Sequence, residues 1–194
     1  MIRHLPLLVA IVVAGCSDGE FANRIEAAGY CDPSLNGIWV PDAEFNEDLG
    51  EDDVQIRFEL TQSSECANSV VTVTMTEPGE SYVLTWLVDF VRISGRIFAN
   101  ARLVDIGDEE FVGHQEFYIL ELDFLAEDRV SVLMPDSTRL IEMIDTGKLD
   151  GSYQRLRHET TFSITNDGAS LRDILPAEVG LFEHRANLER PDVR

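Results

Sequence analysis

The sequence predicts a mainly β fold: an antiparallel up-and-down barrel, or a strongly curved sheet, of about eight strands with two short helices. Three observations lead there. Residues 54–60 read Val-Gln-Ile-Arg-Phe-Glu-Leu, four apolar residues alternating without error with three polar ones. That period of two belongs to a strand with one buried face. Comparable runs recur at intervals of ten or so residues, separated by turn residues. The links between them are short, and short links join antiparallel neighbours.

Taken in order, Asn36-Gly37-Ile38-Trp39 opens the first strand. Residues 42–53 hold seven carboxylates in twelve positions and read as a solvated loop. After the strand at 54–60, Val71, Val73 and Met75 alternate with Thr72 and Thr74. Glu77-Pro78-Gly79 is a turn. Strands are expected at 82–88, 90–93, 97–103, 116–124 and 130–134. Within 116–124, Tyr118, Leu120, Leu122 and Phe124 share one face. Opposite them Phe117 and Ile119 give way to Glu121 and Asp123, so cover on that side should end halfway. Ala126-Glu127-Asp128 reads as a tight hairpin connection.

Asp136 can cap a helix running to about Thr146, with Leu140, Ile141 and Ile144 on one stripe and Gly147 ending it. Asn166 can cap a second, which Pro176 stops. Between them 160–165 reads as a strand, and 186–188 as a last short one. The helices are expected to cover an open end or an edge.

The start of the chain has a different character. Met1-Ile2-Arg3-His4 is short and basic, and Leu5 to Ala14 is apolar apart from Pro6. Such a run is too short to cross a bilayer, which takes roughly 20 helical residues. It matches the apolar region of a secretory signal. Val13-Ala14-Gly15-Cys16 resembles the lipobox of bacterial lipoproteins. That resemblance implies diacylglycerol on the Cys16 thiol, cleavage before it, and a mature chain held to the membrane by two or three acyl chains. It divides the chain into a signal peptide (1–15), a lipidated N-terminus and tether (16–30) and one β-rich domain (31–194). In this family an aspartate directly after the cysteine resembles an inner-membrane retention signal. Here Ser17 stands there and Asp18 follows, which implies the inner leaflet of the outer membrane, facing the periplasm.

With Cys16 taken by the anchor, Cys31 and Cys66 are left in an oxidising compartment and read as one disulfide. Closing that loop contributes about 4 kcal/mol in the chain-entropy model.

Formal net charge is −21, and removing the signal takes Arg3 and makes the excess one larger. With no Lys or Arg cluster to meet phosphates, nucleic acid is excluded as a partner. The residues give no cofactor and no metal site. Aligned as a calcium-binding EF-hand on Gly50, the acidic loop would put Phe45 and Leu49 at ligand positions. His114 and Glu116 share one side of a strand and read as a surface pair; His158 and His184 have no motif around them. Nucleophile elbow, phosphate loop and zinc-protease motifs are all missing from the sequence, so no catalytic residue and no enzyme is expected.

Gly37-x-Trp39 on the first strand resembles the start of lipocalin-type barrels. In those the tryptophan plugs the closed end and a late arginine, here Arg185 or Arg190, packs on it. Two helices among the later strands depart from that family, which has one. Ile164-Thr165 with Leu171-Arg172 is similar to a group of bacterial lipoproteins that brings no activity with it. The expectation is therefore a lipid-anchored binding or interaction module. Trp39, Phe58, Tyr82, Trp86, Tyr118 and Phe124 are the candidate lining for a small apolar ligand. The alternative is a filled barrel that docks another envelope protein.

Overall fold

The structure, a computed structural model, describes residues 17–43, 45, 54–63, 69–107, 109–110, 116–155 and 160–191. In chain order its elements are β1 (Ser17–Phe21), β2 (Gly37–Pro41), β3 (Gln55–Thr61), β4 (Ser69–Glu77), β5 (Glu80–Ile93) and β6 (Arg96–Ile106). There follow β7 (Glu109–Glu110), β8 (Tyr118–Ala126), β9 (Arg129–Pro135), α1 (Ser137–Asp145), β10 (Gly151–Arg155), β11 (Thr160–Ile164), α2 (Gly168–Ile174) and β12 (Phe182–Glu189).

Eight strands close into an antiparallel barrel in the order β2-β3-β4-β5-β6-β8-β9-β12, with β12 returning to β2. From β2 to β9 the barrel strands follow one another in chain order apart from the short β7, and only the step from β9 to β12 is long, carrying both helices, β10 and β11. The β5–β6 turn shows how short a step can be. Ile93 pairs with Arg96, and Ser94 and Gly95 between them both take positive φ, 53° and 84°. That is the primed turn whose twist matches the strands it joins. Closure is the thinnest pairing in the ring, with only Leu188 opposite Pro41 and Glu189 opposite Val40.

The alternation then sorts side chains into two cores. On β6, Ile97, Ala99 and Ala101 point into the barrel with Trp39, Leu60, Val73, Trp86 and Phe90. Phe98, between them, points outward and joins a second cluster with Ile119, Leu140, Met143, Phe162, Leu171 and Leu181. This outer core lies between the barrel wall and a separate three-stranded sheet, β1-β11-β10, with both helices packed into it. The helices therefore cover the outside of the wall, not an open end. Ile119 gains its cover there, and Glu121 further along pairs with Arg96 (Nε to Oε1, 2.6 Å), whose Nη1 also donates to the Pro176 carbonyl at 2.8 Å.

Other expectations are corrected too. Residues 82–88 and 90–93 are one strand, β5, since Asp89 faces outward and meets Arg24 at 2.8 Å. The strand expected at 160–165 belongs to the second sheet, and β12 is longer than expected because it seals the barrel. Residues 17–30 do not form a tether: β1 pairs in parallel with β11, and Phe21 and Ile25 are 0% and 1% exposed. Asp136 caps α1 as expected, but α2 is capped by Asp167. Asn166 instead accepts the Asp150 N–H at 2.7 Å.

Candidate functional site

Gly37, Trp39 and Arg190 come together at one end of the barrel. Arg190 follows β12, and its guanidinium carbon lies 4.5 Å from the Trp39 ring centroid. It also donates to the Ser34 and Asn36 carbonyls, the second at 3.2 Å. Gly37 has φ +124°, and a Cβ there would sit 3.1 Å from Arg190 Nη1. The glycine thus makes room for the arginine as well as permitting the backbone. Trp39 Nε1 donates to the Leu35 carbonyl at 2.9 Å, so the indole is held at both its face and its edge.

Above this plug the barrel interior holds an apolar cavity of about 160 Å³ that is partly open to the outside. Its lining comes from most of the wall: Trp39 and Pro41 from β2, Phe58 and Leu60 from β3, Val71 and Val73 from β4, Trp86, Val88 and Phe90 from β5. Ala99, Ala101, Leu120, Leu122, Val130, Val132, Met134, Ala186 and Leu188 come from β6 to β12, with Leu35 and Phe45 from flanking segments. Every one is apolar. The space exists where the wall carries alanine, since Ala99 and Ala101 leave a gap that Leu or Phe would fill.

Of the six candidate lining residues, Trp39, Phe58 and Trp86 line the cavity. Tyr82, Tyr118 and Phe124 pack against the barrel core instead. Tyr82 donates its hydroxyl to Glu80 at the start of β5, and Tyr118 stands edge-on to Trp86 at 5.4 Å. Tyrosine favours places where its ring is covered and its oxygen is wet, and Tyr82, whose hydroxyl meets the exposed Glu80, fits that. Sequence reasoning missed Ala99 and Ala101; strict alternation from Ile97 was the signal that could have found them.

Asp42 was also missed, grouped with the acidic loop it begins. It belongs to the β2–β12 seam. Its Oδ2 accepts from Asn187 Nδ2 at 2.9 Å and Arg129 Nη2 at 3.2 Å, and its Oδ1 accepts the Phe45 N–H at 3.1 Å. Its own N–H donates to the Asn187 carbonyl at 3.0 Å. Burial pushes this carboxyl up, but the hydrogen bonds from Asn187, Phe45 and Arg129 and the Arg129 charge outweigh it, leaving the group below the usual carboxylate range.

No protein-family model matches the chain, and neither a curated protein nor a solved structure matches it. The site therefore has to be read from its own chemistry. Cys16, Cys66, His114 and His158 lie outside the described residues, as does most of the acidic loop 42–53. Among the described residues no group of three or more His, Cys, Asp or Glu is placed to hold a metal ion.

Proposed function

We propose that the chain is a lipid-anchored protein of the bacterial envelope whose barrel takes up a small apolar molecule. The observation that carries this reading is the cavity: about 160 Å³ inside the barrel, partly open to the outside and lined by apolar residues. Apolar cavities of about 150 Å³ stay dry and admit benzene-sized guests. The Gly37–Trp39–Arg190 arrangement supports the likeness to lipocalin-type barrels. The lipobox supports acylation at Cys16 and an address on the periplasmic face of the outer membrane. The reading includes neither catalysis, nor a cofactor, nor nucleic acid.

A Cys31–Cys66 bridge belongs to the same proposal. Cys31 is not free. Beside it, Asp32 donates its N–H to Gln62 Oε1 at 3.3 Å, and Gln62 donates its own to Asn36 Oδ1 at 2.6 Å. These bonds hold the chain that leads to Cys66 against the segment bearing Cys31.

One observation favours the second reading, a barrel that docks another envelope protein: the cavity is smaller than the roughly 300 Å³ at which drug-sized sites begin. Native mass spectrometry of the chain recovered from its own envelope separates the two. A retained small molecule supports the first, and a retained protein with an empty barrel the second. Incorporation of labelled palmitate that is lost in Cys16→Ser tests the anchor. Incorporation that survives the substitution would remove it.

A further inference from the structure

The barrel wall is not equally tight all round. Strands paired in a ladder lie about 4.8 Å apart and leave no passage between them. At β2 the ladders lapse. This strand pairs with β3 only over Gly37, Ile38 and Trp39, and with β12 only over Val40 and Pro41. Asp42 adds one bond, its N–H to the Asn187 carbonyl, and the chain then leaves the wall. Past that point, among the described residues, Gln55, Ile56 and Arg57 of β3 pair with β4 alone. The run from Phe182 to Ala186 of β12 likewise pairs with β9 alone. A wedge therefore opens between β3 and β12, with Asp42 at its apex.

The cavity reaches this wedge. Pro41, Ala186 and Leu188 line it beside the apex, and Phe45 lines it from the connection that leaves there. The Phe45 N–H is held by Asp42 Oδ1 at 3.1 Å, and its side chain packs, partly buried, against the inner core. Other ways in are stoppered. Trp39 and Arg190 stand at one end. Toward the other, Ile56, Met75 and Leu84 are 4%, 1% and 2% exposed. These three belong to the inner core but not to the cavity lining, so they fill the barrel between the cavity and the β4–β5 turn. We infer that a guest enters and leaves through the wedge between β3 and β12, and that Phe45 is the side chain it must push aside. The inference rests on the reading that the barrel holds a small apolar ligand.

Benzene is the probe, added to the chain with Cys16→Ser, which takes no acyl group. Magnetisation transfer between free and bound benzene gives the dissociation rate and a titration gives Kd; together they yield the association rate. Phe45→Ala should raise the association rate about tenfold. A wall residue with no part in entry would change dissociation alone, so an unchanged association rate overturns the inference and leaves the ligand reading standing. A second test does not touch the lining. Ala43, exposed beside the apex, is changed to Cys and given a bulky maleimide, which should slow association and dissociation together about tenfold. The same label on Ser94→Cys, exposed on the β5–β6 turn across the ring, should leave both rates within about twofold. Equal slowing at the two sites, or none at Ala43, would sink the inference even if Phe45→Ala fails to fold. If benzene does not bind the parent chain, the ligand reading falls and takes the inference with it.

Discussion

The side-chain amide of Asn100 does the work of a neighbouring strand for Ile25. Its Oδ1 accepts the Ile25 N–H at 2.9 Å, and its Nδ2 donates to the Ile25 carbonyl at 3.3 Å. Asn100 sits on the outer face of β6 and is 1% exposed, so water cannot take over either bond. This pair fastens the segment after β1 to the barrel wall. Asn100→Leu strands both main-chain groups of Ile25 and should cost about 3 kcal/mol in urea unfolding. Asn100→Asp keeps the acceptor but loses the donor and buries a charge, so it too should destabilise. A loss under about 0.5 kcal/mol for Asn100→Leu would show that Ile25 has another partner.

Arg190 links the end of β12 to the plug below the cavity. Arg190→Met keeps the stem but removes the charge over Trp39 and the donors to Ser34 and Asn36. Partly exposed contacts of this kind are worth little each, so a loss of about 1–2 kcal/mol is expected. Arg190→Lys should recover only part of it, since an ammonium lacks the planar fork. Denaturant midpoints measure both. Full recovery by lysine would mean that charge alone matters.

The seam carboxylate gives the barrel a pH dependence of definite sign. Asp42 is held below its ordinary value, so its contribution is fully present above the unfolded value near pH 4 and disappears as pH falls through the folded one. Asp32 is lowered as well, by the side-chain and main-chain hydrogen bonds of Ser34, and adds to the same acid limb. Asp42→Asn should therefore be less stable than the parent at pH 7 and flatter, though not flat, below about pH 4. Urea unfolding across pH 2–7 reads both slopes (about 4 is the unfolded carboxylate value). Parallel curves for the two proteins would contradict this assignment.

Filling the cavity tests its use directly. Ala99→Leu adds three carbons to a space of about 160 Å³. Benzene affinity should drop at least about tenfold, while stability should stay within about 1.5 kcal/mol of the parent, in either direction. Unchanged benzene affinity would place the guest elsewhere.

Much of the barrel was legible because its strands keep a dry face inward, and residues 54–60 and 116–124 wrote that pattern plainly. What escaped has physical causes. Asp89 interrupts an apolar run and looks like a break, but its partner Arg24 is far away in sequence. β10, Gly-Ser-Tyr-Gln-Arg, buries little beyond Tyr153 and is a strand only because β11 pairs with it. β1 depends in the same way on a partner more than a hundred residues later. Asn166 and Asp167 are equally able to cap a helix, and the choice is made by Asp150. At the site, aromatic residues drew the eye as lining, whereas a hollow is made by the small side chains that decline to fill it.

β1 begins at Ser17, one position after the cysteine proposed to carry the acyl chains, and Ser17 is already in register with Thr160. A protein moored there has no slack. Its attitude on the bilayer would be set by a rigid three-stranded sheet, with the start of β11 and the end of β10 nearest the headgroups, so that the molecule presents one fixed side to anything sharing its leaflet.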